Sequence, residues 1–376
     1  PVPLGISGRA GSEAWTALLR DRVTRFGLVA LATDRGSASG LAAAGGGVPA
    51  LAVDGDHGIS VPVGPQSPIA FIQPSSGTTG DPKGIVISHA AVLANLRGIR
   101  EHWDLTDRDS GLSWLPLFHD MGLIGTVINA LFQGASLHHW PTASFLRSPG
   151  RWLTLLDELD VTIAIGPPFA LELVTRRWRR RGGEVDLSSV RHLLVGAEHI
   201  RPQVLEGFAE TFEPFGFSRT AITPTYGLAE ATLAVTAAPG GTRFRTVDDG
   251  LHRWVSCGRP IPGVEVRIEP ERGELLTRTP AVMTGYLDDP GATDAAIVDD
   301  WLHTGDAAVA VDGEILVVGR LKEMINRNGQ RVAAADFELA AHGVEGVLPD
   351  RVVAFGEVDE HAERVGEDPG ERRHEE

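Results

Sequence analysis

Short apolar runs alternate with helix-length stretches over most of the chain before Ser256, and this alternation restricts the fold more than any other feature. LVALATD, PALAVD, IAFIQ, VTIAIG and HLLVGA read as strands. SHAAVLANLRGIREHW reads as a helix that Ser88 can cap, with Val92, Leu96, Ile99 and Trp103 on one face. RPQVLEGFAETF reads as another, with Pro202 suited to the first turn and Val204, Leu205, Phe208 and Phe212 together. Strands alternating with helices predict an α/β unit. After Ser256 the texture changes to VEVRI, GELLTRT and AAVAVDGEILVVGR, with Asp312-Gly313 as a hairpin turn, so a small β subdomain is expected. The stretch ERVGEDPGERRHEE shows no apolar periodicity and reads as a solvated or disordered tail.

Composition excludes several classes. With 42% hydrophobic residues in 376, the chain can bury the core of one large domain and a smaller one. A net charge of −16 opposes nonspecific binding to nucleic-acid phosphates. No apolar run is long enough for a membrane span, and PVPLGISGRAGSEAW resembles no secretory leader. Cys257 is the single cysteine, so no intrachain disulfide can form, and a cytoplasmic location is expected. The arginines of TRRWRRRGG, Arg176 to Arg181, read either as a solvated helix end or as a docking patch for an acidic partner.

All but two of the 34 basic residues are arginine; the lysines are Lys83 and Lys322. Lys83 lies in SSGTTGDPKG, between the apparent strands IAFIQ and IVIS, so the segment is expected to be a strand-to-strand turn. Gly77, Gly80 and Gly84 let backbone N–H groups approach an anion, because no Cβ intervenes. Ser75, Ser76, Thr78 and Thr79 add hydroxyl donors, and Lys83 adds a mobile point charge. A Walker loop would need Gly-Lys followed by Ser or Thr opening a helix; here Pro82 precedes the lysine and Gly84 follows it. A general P-loop NTPase is thereby disfavoured.

With WLPLFHDMGLIG, VGAEHIRPQVLEGFAETFEPFGF, TPTYGLAEATLAV, SCGRPIPG and WLHTGD following in order, the chain resembles the adenylate-forming superfamily of acyl-CoA synthetases, peptide-synthetase adenylation domains and luciferases. The fatty acyl-AMP ligases are the branch it most resembles. The resemblance implies a large N-terminal adenylation domain over residues 1–319, with doubly wound αβ subdomains and a small β-barrel subdomain. A truncated α+β C-terminal domain would follow over 320–376, with Lys322 at the hinge and the N-terminus also incomplete.

It further implies ATP and Mg2+ as cofactors, with Ser75, Ser76, Gly77, Thr78, Thr79, Gly80 and Lys83 around the phosphates. Gly196, Ala197 and Glu198 would line the adenine pocket, Tyr226 would lie against adenine, and Thr225 near the α-phosphate. Gly227, Leu228 and Ala229 complete that motif, in which a strand end is expected to turn into a helix start at Gly227. Glu230 matches the magnesium ligand, and Asp306 with Arg320 would meet the ribose. His119, beside Asp120, would stand at the acyl-pocket entrance, or else be a core histidine held by its neighbour. The catalytic set is then His119, Thr79, Glu230 and Lys83.

The implied reaction activates a fatty acid as its acyl-adenylate and passes it to the phosphopantetheine thiol of an acyl carrier protein, in polyketide or peptide natural-product assembly. CoA is the alternative acceptor, because TAAPGGTRFRTVDDGLHRWV is short for the insertion by which acyl-AMP ligases resist CoA. No lysine follows Lys322 to match the family's adenylation lysine, so a shortened acyl-adenylate-binding protein with weak or no adenylation is the other reading. His199 stands where this branch is expected to carry proline. His138-His139 has no second ligand pair to make a metal site, and Cys257 reads as a packed thiol.

Overall fold

A computed structural model describes residues 13–25, 31–33, 43–44, 50–52, 67–75, 83–248, 250, 252–327, 330–334, 337, 352, 354–358 and 363–367. Helix α1 (Glu13–Arg25) precedes a parallel pair of short strands, β1 (Leu31–Thr33) and β2 (Ala50–Ala52). β3 (Ile69–Pro74) and β4 (Gly84–Ser88) pair antiparallel, so the expected strand–turn–strand around the Ser/Thr/Gly loop is present. β4 passes directly into α2 (His89–Trp103), where the Ser88 hydroxyl accepts from the Ala91 amide at 3.0 Å. Val92, Leu96, Ile99 and Trp103 are buried together, and Asp104 ends the helix in the left-handed region, at φ 49°.

The central sheet collects β5 (Ser110–Ser113), β6 (Ser136–His139), β7 (Ile163–Gly166), β8 (His192–Val195), β9 (Ile222–Gly227), β10 (Ala234–Ala237) and β13 (Arg259–Pro260). Between β10 and β13 in sequence, β11 (Thr246–Asp248) and β12 (Arg253–Val255) pair antiparallel with each other. The order of the central sheet is β13-β10-β9-β8-β7-β5-β6. The five strands from β9 to β6 are parallel, and β10 and β13 add antiparallel pairs at one edge. After β6 the chain returns to the other side of β5 to form β7. Winding therefore reverses between β5 and β7, which opens a crevice at the C-terminal ends of these strands.

Helices α3 (Pro168–Arg181) and α4 (Pro202–Phe212) pack against each other through Trp178 and Phe212, and each begins with proline in its first turn. Trp114 and Phe145 stack at 3.8 Å beneath the β5 loop. Fully burying such a side chain contributes about 1.5–3 kcal/mol. The arginines 176–181 end α3, and Arg179 donates to Thr211 Oγ1 and Gly207 O on α4. This end lies about 20 Å from the crevice, at 1.5 Å per residue over the helix's 14 residues. Its charge complements the helix C-terminus, as a solvated helix end does.

Two expectations are corrected, and one further feature is new. Gly227 does not open a helix: a single 3-10 turn, Ala229–Ala231, follows, and the chain reverses into β10. Ala234, Thr236 and Ala237 find ladder partners in β9, which outweighs the helix-like TYGLAE. Glu363–Glu367, expected to belong to a disordered tail, pairs antiparallel with Ala354–Val358. Backbone pairing needs no apolar period, so periodicity did not reveal it; the rest of that tail, 368–376, lies outside the described residues. A π-helical segment, Leu123–Ile128, interrupts the helix that follows His119 and had no sequence signal.

The small β unit is an antiparallel sheet of β14 (Glu265–Ile268), β15 (Glu274–Arg278), β17 (Ile297–Val298), β18 (Trp301–Val311) and β19 (Glu314–Arg320). Asp312 and Gly313 turn β18 into β19 with φ of 54° and 80°, the geometry expected of that dipeptide.

At the opposite end of the sheet from the crevice, Arg191 forms a two-pronged pair with Asp109, at 2.8 Å on each oxygen. Arg191 Nη1 also donates to His192 Nε2 at 3.0 Å. Burial, aided by the Arg191 charge, lowers His192 from 6.5 to about 4, so the folded ring stays neutral. The unfolded chain takes up the proton first. His192 therefore stabilises fully above pH 6.5, and this contribution is lost as pH falls through about 4. The loss amounts to about 3 kcal/mol at 1.36 kcal/mol per pH unit. Urea titrations at pH 7 and pH 4 should show this drop in wild type and a shallower one in His192→Gln. Equal drops would dismiss the assignment. Asp109, lowered to about 2, loses its contribution only below its ordinary 3.8.

Candidate active site

Two hydrogen bonds close the base of the phosphate-type loop: Ser75 N donates to Lys83 O at 2.8 Å, and Lys83 N donates to Ser75 Oγ at 2.9 Å. Ser76, Gly77, Thr78, Thr79 and Gly80 lie outside the described residues. Beside the loop, β16 (Gly285–Tyr286) pairs with β4, placing Tyr286 opposite Ile85. Lys83 Nζ lies over the Tyr286 ring, 4.5 Å from its centroid. The hydroxyl of the same ring donates to Glu230 Oε1 at 3.0 Å.

Glu230 is carried on the 3-10 turn after β9. Its carbonyl accepts from Met283 N at 2.7 Å, and buried Thr232, at φ 68°, donates its hydroxyl to Ala281 O at 2.6 Å. A β-branched residue in the left-handed region costs on the order of 1–3 kcal/mol, so packing holds this turn against its own preference. Burial raises the Glu230 carboxyl above its ordinary value, opposed by its own amide and by the Tyr286 hydroxyl.

Across the crevice, the Tyr226 hydroxyl donates to Asp306 Oδ2 at 2.6 Å, and Arg320 Nε pairs with Asp306 Oδ1 at 2.9 Å. The β18–β19 register sets Asp306 opposite Arg320. Asp306 is 4% exposed, and its amide donates to Thr304 Oγ1. Burial raises its carboxyl, with Arg320 and Tyr226 opposing. Burial and the nearby Asp306 charge push the Tyr226 phenol well up, keeping it a donor. Each Asp306 oxygen accepts one of these bonds and retains a lone pair, the capacity a diol requires.

At the end of β8, a Cβ on Gly196 would lie 2.7 Å from Thr225 Oγ1 and 2.8 Å from Thr225 O, so glycine permits the close approach of β9. Thr225 Oγ1 donates to Val195 O at 3.3 Å, and Ala197 turns at φ 71°. Desolvation raises the Glu198 carboxyl, while His199 packs edge-on to Trp254 at 5.6 Å. Leu228 is buried, and Ala229 is partly so. Lys322 is exposed on the turn Leu321–Glu323 after β19.

His119 follows β5 at the crevice. It is half-buried, and its Nδ1 lies 2.6 Å from Asp120 Oδ1. That bond raises its pKa, with desolvation opposing. Gln73, buried near the end of β3, donates Nε2–H to Phe118 O at 2.6 Å and ties β3 to the His119 segment. Leu117, Phe118 and Phe169 form exposed apolar surface nearby. A small apolar cavity of ≈ 40 Å³ lies between the π-helical segment and the sheet, lined by Leu112, Gly125, Ile163, Ile165 and Leu194 among others.

Cys257 is buried, and burial pushes its thiol to about 12, which suits a packed side chain and not a nucleophile. No group of three or more His, Cys, Asp or Glu able to hold a metal occurs among the described residues. Sequence reasoning missed Tyr286, Gln73 and Thr304. The available signal was scarcity: Tyr226 and Tyr286 are the only tyrosines of the chain, and each donates to a carboxylate of the crevice.

A doubly wound sheet, with a small β unit supplying an aspartate–arginine pair to its crevice, defines an α/β enzyme that takes a nucleotide. The chain belongs to the AMP-binding enzyme family, whose model matches residues 29–287. It is 35% identical to a Caulobacter vibrioides protein carrying the provisional name acyl-CoA synthetase, over 94% of this chain and 68% of that protein. It is 33% identical to the medium-chain fatty acid–acyl carrier protein ligase JamA of Moorena producens, over 72% of this chain and 52% of that protein. A structure from studies of fatty acyl-adenylate ligases of E. coli and L. pneumophila superposes with a TM-score of 0.81 at 28% identity. That match covers 92% of this chain and 70% of the other. The chain thus spans between about half and two-thirds of the length of these two curated relatives.

Proposed function

We propose that the chain is the adenylating part of a fatty acyl-AMP ligase. The carboxylate oxygen of a fatty acid attacks the α-phosphorus of ATP, the bond to pyrophosphate breaks, and an acyl-adenylate remains. Transfer to the phosphopantetheine thiol of an acyl carrier protein follows, with AMP leaving. The observation that carries this reading is the convergence of Lys83 and Glu230 on Tyr286, and of Arg320 and Tyr226 on Asp306, at the C-terminal ends of the sheet strands. Two anions must meet in this reaction, so cationic groups belong where charge gathers.

In this reading Lys83 and Thr79 meet the phosphates, with Ser75, Ser76, Gly77, Thr78 and Gly80 supplying the rest of the cradle. Tyr226 and residues 196–198 line the adenine, Asp306 and Arg320 hold the ribose, and His119 faces the acid among Leu117 and Phe118. Glu230 would hold Mg2+: its carboxylate is the hard oxygen donor that ion requires. The bound ion would offset charge on the phosphates. The family's domain division would fall at Arg320, with Lys322 at the hinge, and the cytoplasm is the setting the notional substrates suit. An acyl carrier protein as acceptor is supported by the name of the Moorena relative; CoA, the second reading, by that of the Caulobacter relative and the short connection before Val255.

ATP–pyrophosphate exchange with a panel of fatty acids and Mg2+ tests the proposal. Exchange with one acid identifies the substrate. Binding of a nonhydrolysable acyl-adenylate analogue without exchange would favour an acyl-adenylate-binding protein; absence of both would sink either reading.

A further inference from the structure

Tyr286 occupies a place that packing alone does not explain. Leu287 N donates to Gly84 O at 2.7 Å and Thr284 N to Val86 O at 2.8 Å, fixing this segment to the strand that returns from the phosphate loop. Tyr286 N donates to Thr293 Oγ1 at 2.9 Å. A Cβ on Gly285, at φ 155°, would meet Thr293 Cγ2 at 2.8 Å, so the backbone has little room to shift. From this fixed backbone one side chain reaches both charged groups. Its ring lies under Lys83 Nζ at 4.5 Å, and its hydroxyl donates to Glu230 Oε1 at 3.0 Å.

An ammonium and a carboxylate that both reach one ring would, without it, be drawn to pair with each other, and each would then be unavailable to a ligand. We propose that Tyr286 is a positioning residue: its ring keeps Lys83 and Glu230 apart, and its hydroxyl aims Glu230 for the metal that accompanies the nucleotide. This rests on the nucleotide-site reading above. The lysine keeps its donors while held by a face that forms no hydrogen bond of comparable strength, so a phosphate oxygen can displace the ring.

Calorimetric titration of ATP into the wild-type chain, in EDTA and in Mg2+, is the test, with the melting temperature of each variant as the folding control. Tyr286→Phe retains the ring and loses the hydroxyl. ATP affinity in EDTA should stay within about twofold of wild type, while the gain conferred by Mg2+ falls by about tenfold, the scale of a hydrogen bond to a charged group. Tyr286→Leu removes the ring as well and should also weaken ATP binding in EDTA by about tenfold, through a Lys83–Glu230 pair. Glu230→Gln added to Tyr286→Leu should restore that Mg2+-free affinity, an outcome that a merely structural tyrosine would not produce. If wild type binds ATP and Tyr286→Phe loses affinity equally with and without Mg2+, or the double variant shows no rescue, the proposal is overturned while the nucleotide site stands. If wild type binds neither ATP nor the acyl-adenylate analogue, the site reading itself falls, and this proposal with it.

Discussion

Glu230→Gln is expected to lower pyrophosphate exchange by about 100- to 1000-fold, the loss typical of removing one group that stabilises transition-state charge. The folded chain should melt no lower than wild type. Glutamine has the shape of glutamate and retains a carbonyl oxygen to accept the Tyr286 hydroxyl, so the crevice keeps its geometry. It lacks the charge that a hard cation requires. Burial already disfavours the carboxylate, as the raised pKa of Glu230 records, and a neutral isostere removes that cost. Activity and stability should therefore move in different directions. Exchange at the wild-type rate would remove Glu230 from the metal site; a large fall in melting temperature would make its role structural.

Gly227→Ala is expected to destabilise the fold by at least about 3 kcal/mol, the upper part of the range for overpacked sites. A Cβ at this position would lie 1.8 Å from Leu233 O and 2.7 Å from Leu233 C. These are backbone atoms, and they cannot swing aside as a side-chain tip could. Leu228 N donates to Leu233 O at 2.9 Å, so the same carbonyl closes the turn that carries Glu230. Relief of the clash would open that turn and shift Tyr226 on one side and Glu230 on the other. Urea unfolding, read alongside binding of the acyl-adenylate analogue, should show both losses together. A stable variant with intact binding would show that the turn is far softer than the contact implies.

Much of the architecture was legible where its cause is local. Ser88 caps α2 through an amide three residues on, and Asp312-Gly313 reverses the chain within its own dipeptide. The Ser/Thr/Gly loop is closed by its flanking residues, Ser75 and Lys83. Such contacts are written in neighbouring letters, and so was the order of the motifs. β5 was not legible: SGLS has little strand propensity, yet it sits between β6 and β7 with Gly111 opposite both Leu137 and Ile163. Its backbone groups are satisfied by partners far along the chain, which no window of sequence contains. The same holds for the crevice. Lys83, Tyr226, Glu230 and Asp306 could be named from the motifs they belong to, but not which tyrosine would meet which carboxylate. Tyr226 reaches Asp306 across 80 residues and Tyr286 reaches Glu230 across 56, and only the packing of the small β unit against the doubly wound sheet decides both pairings.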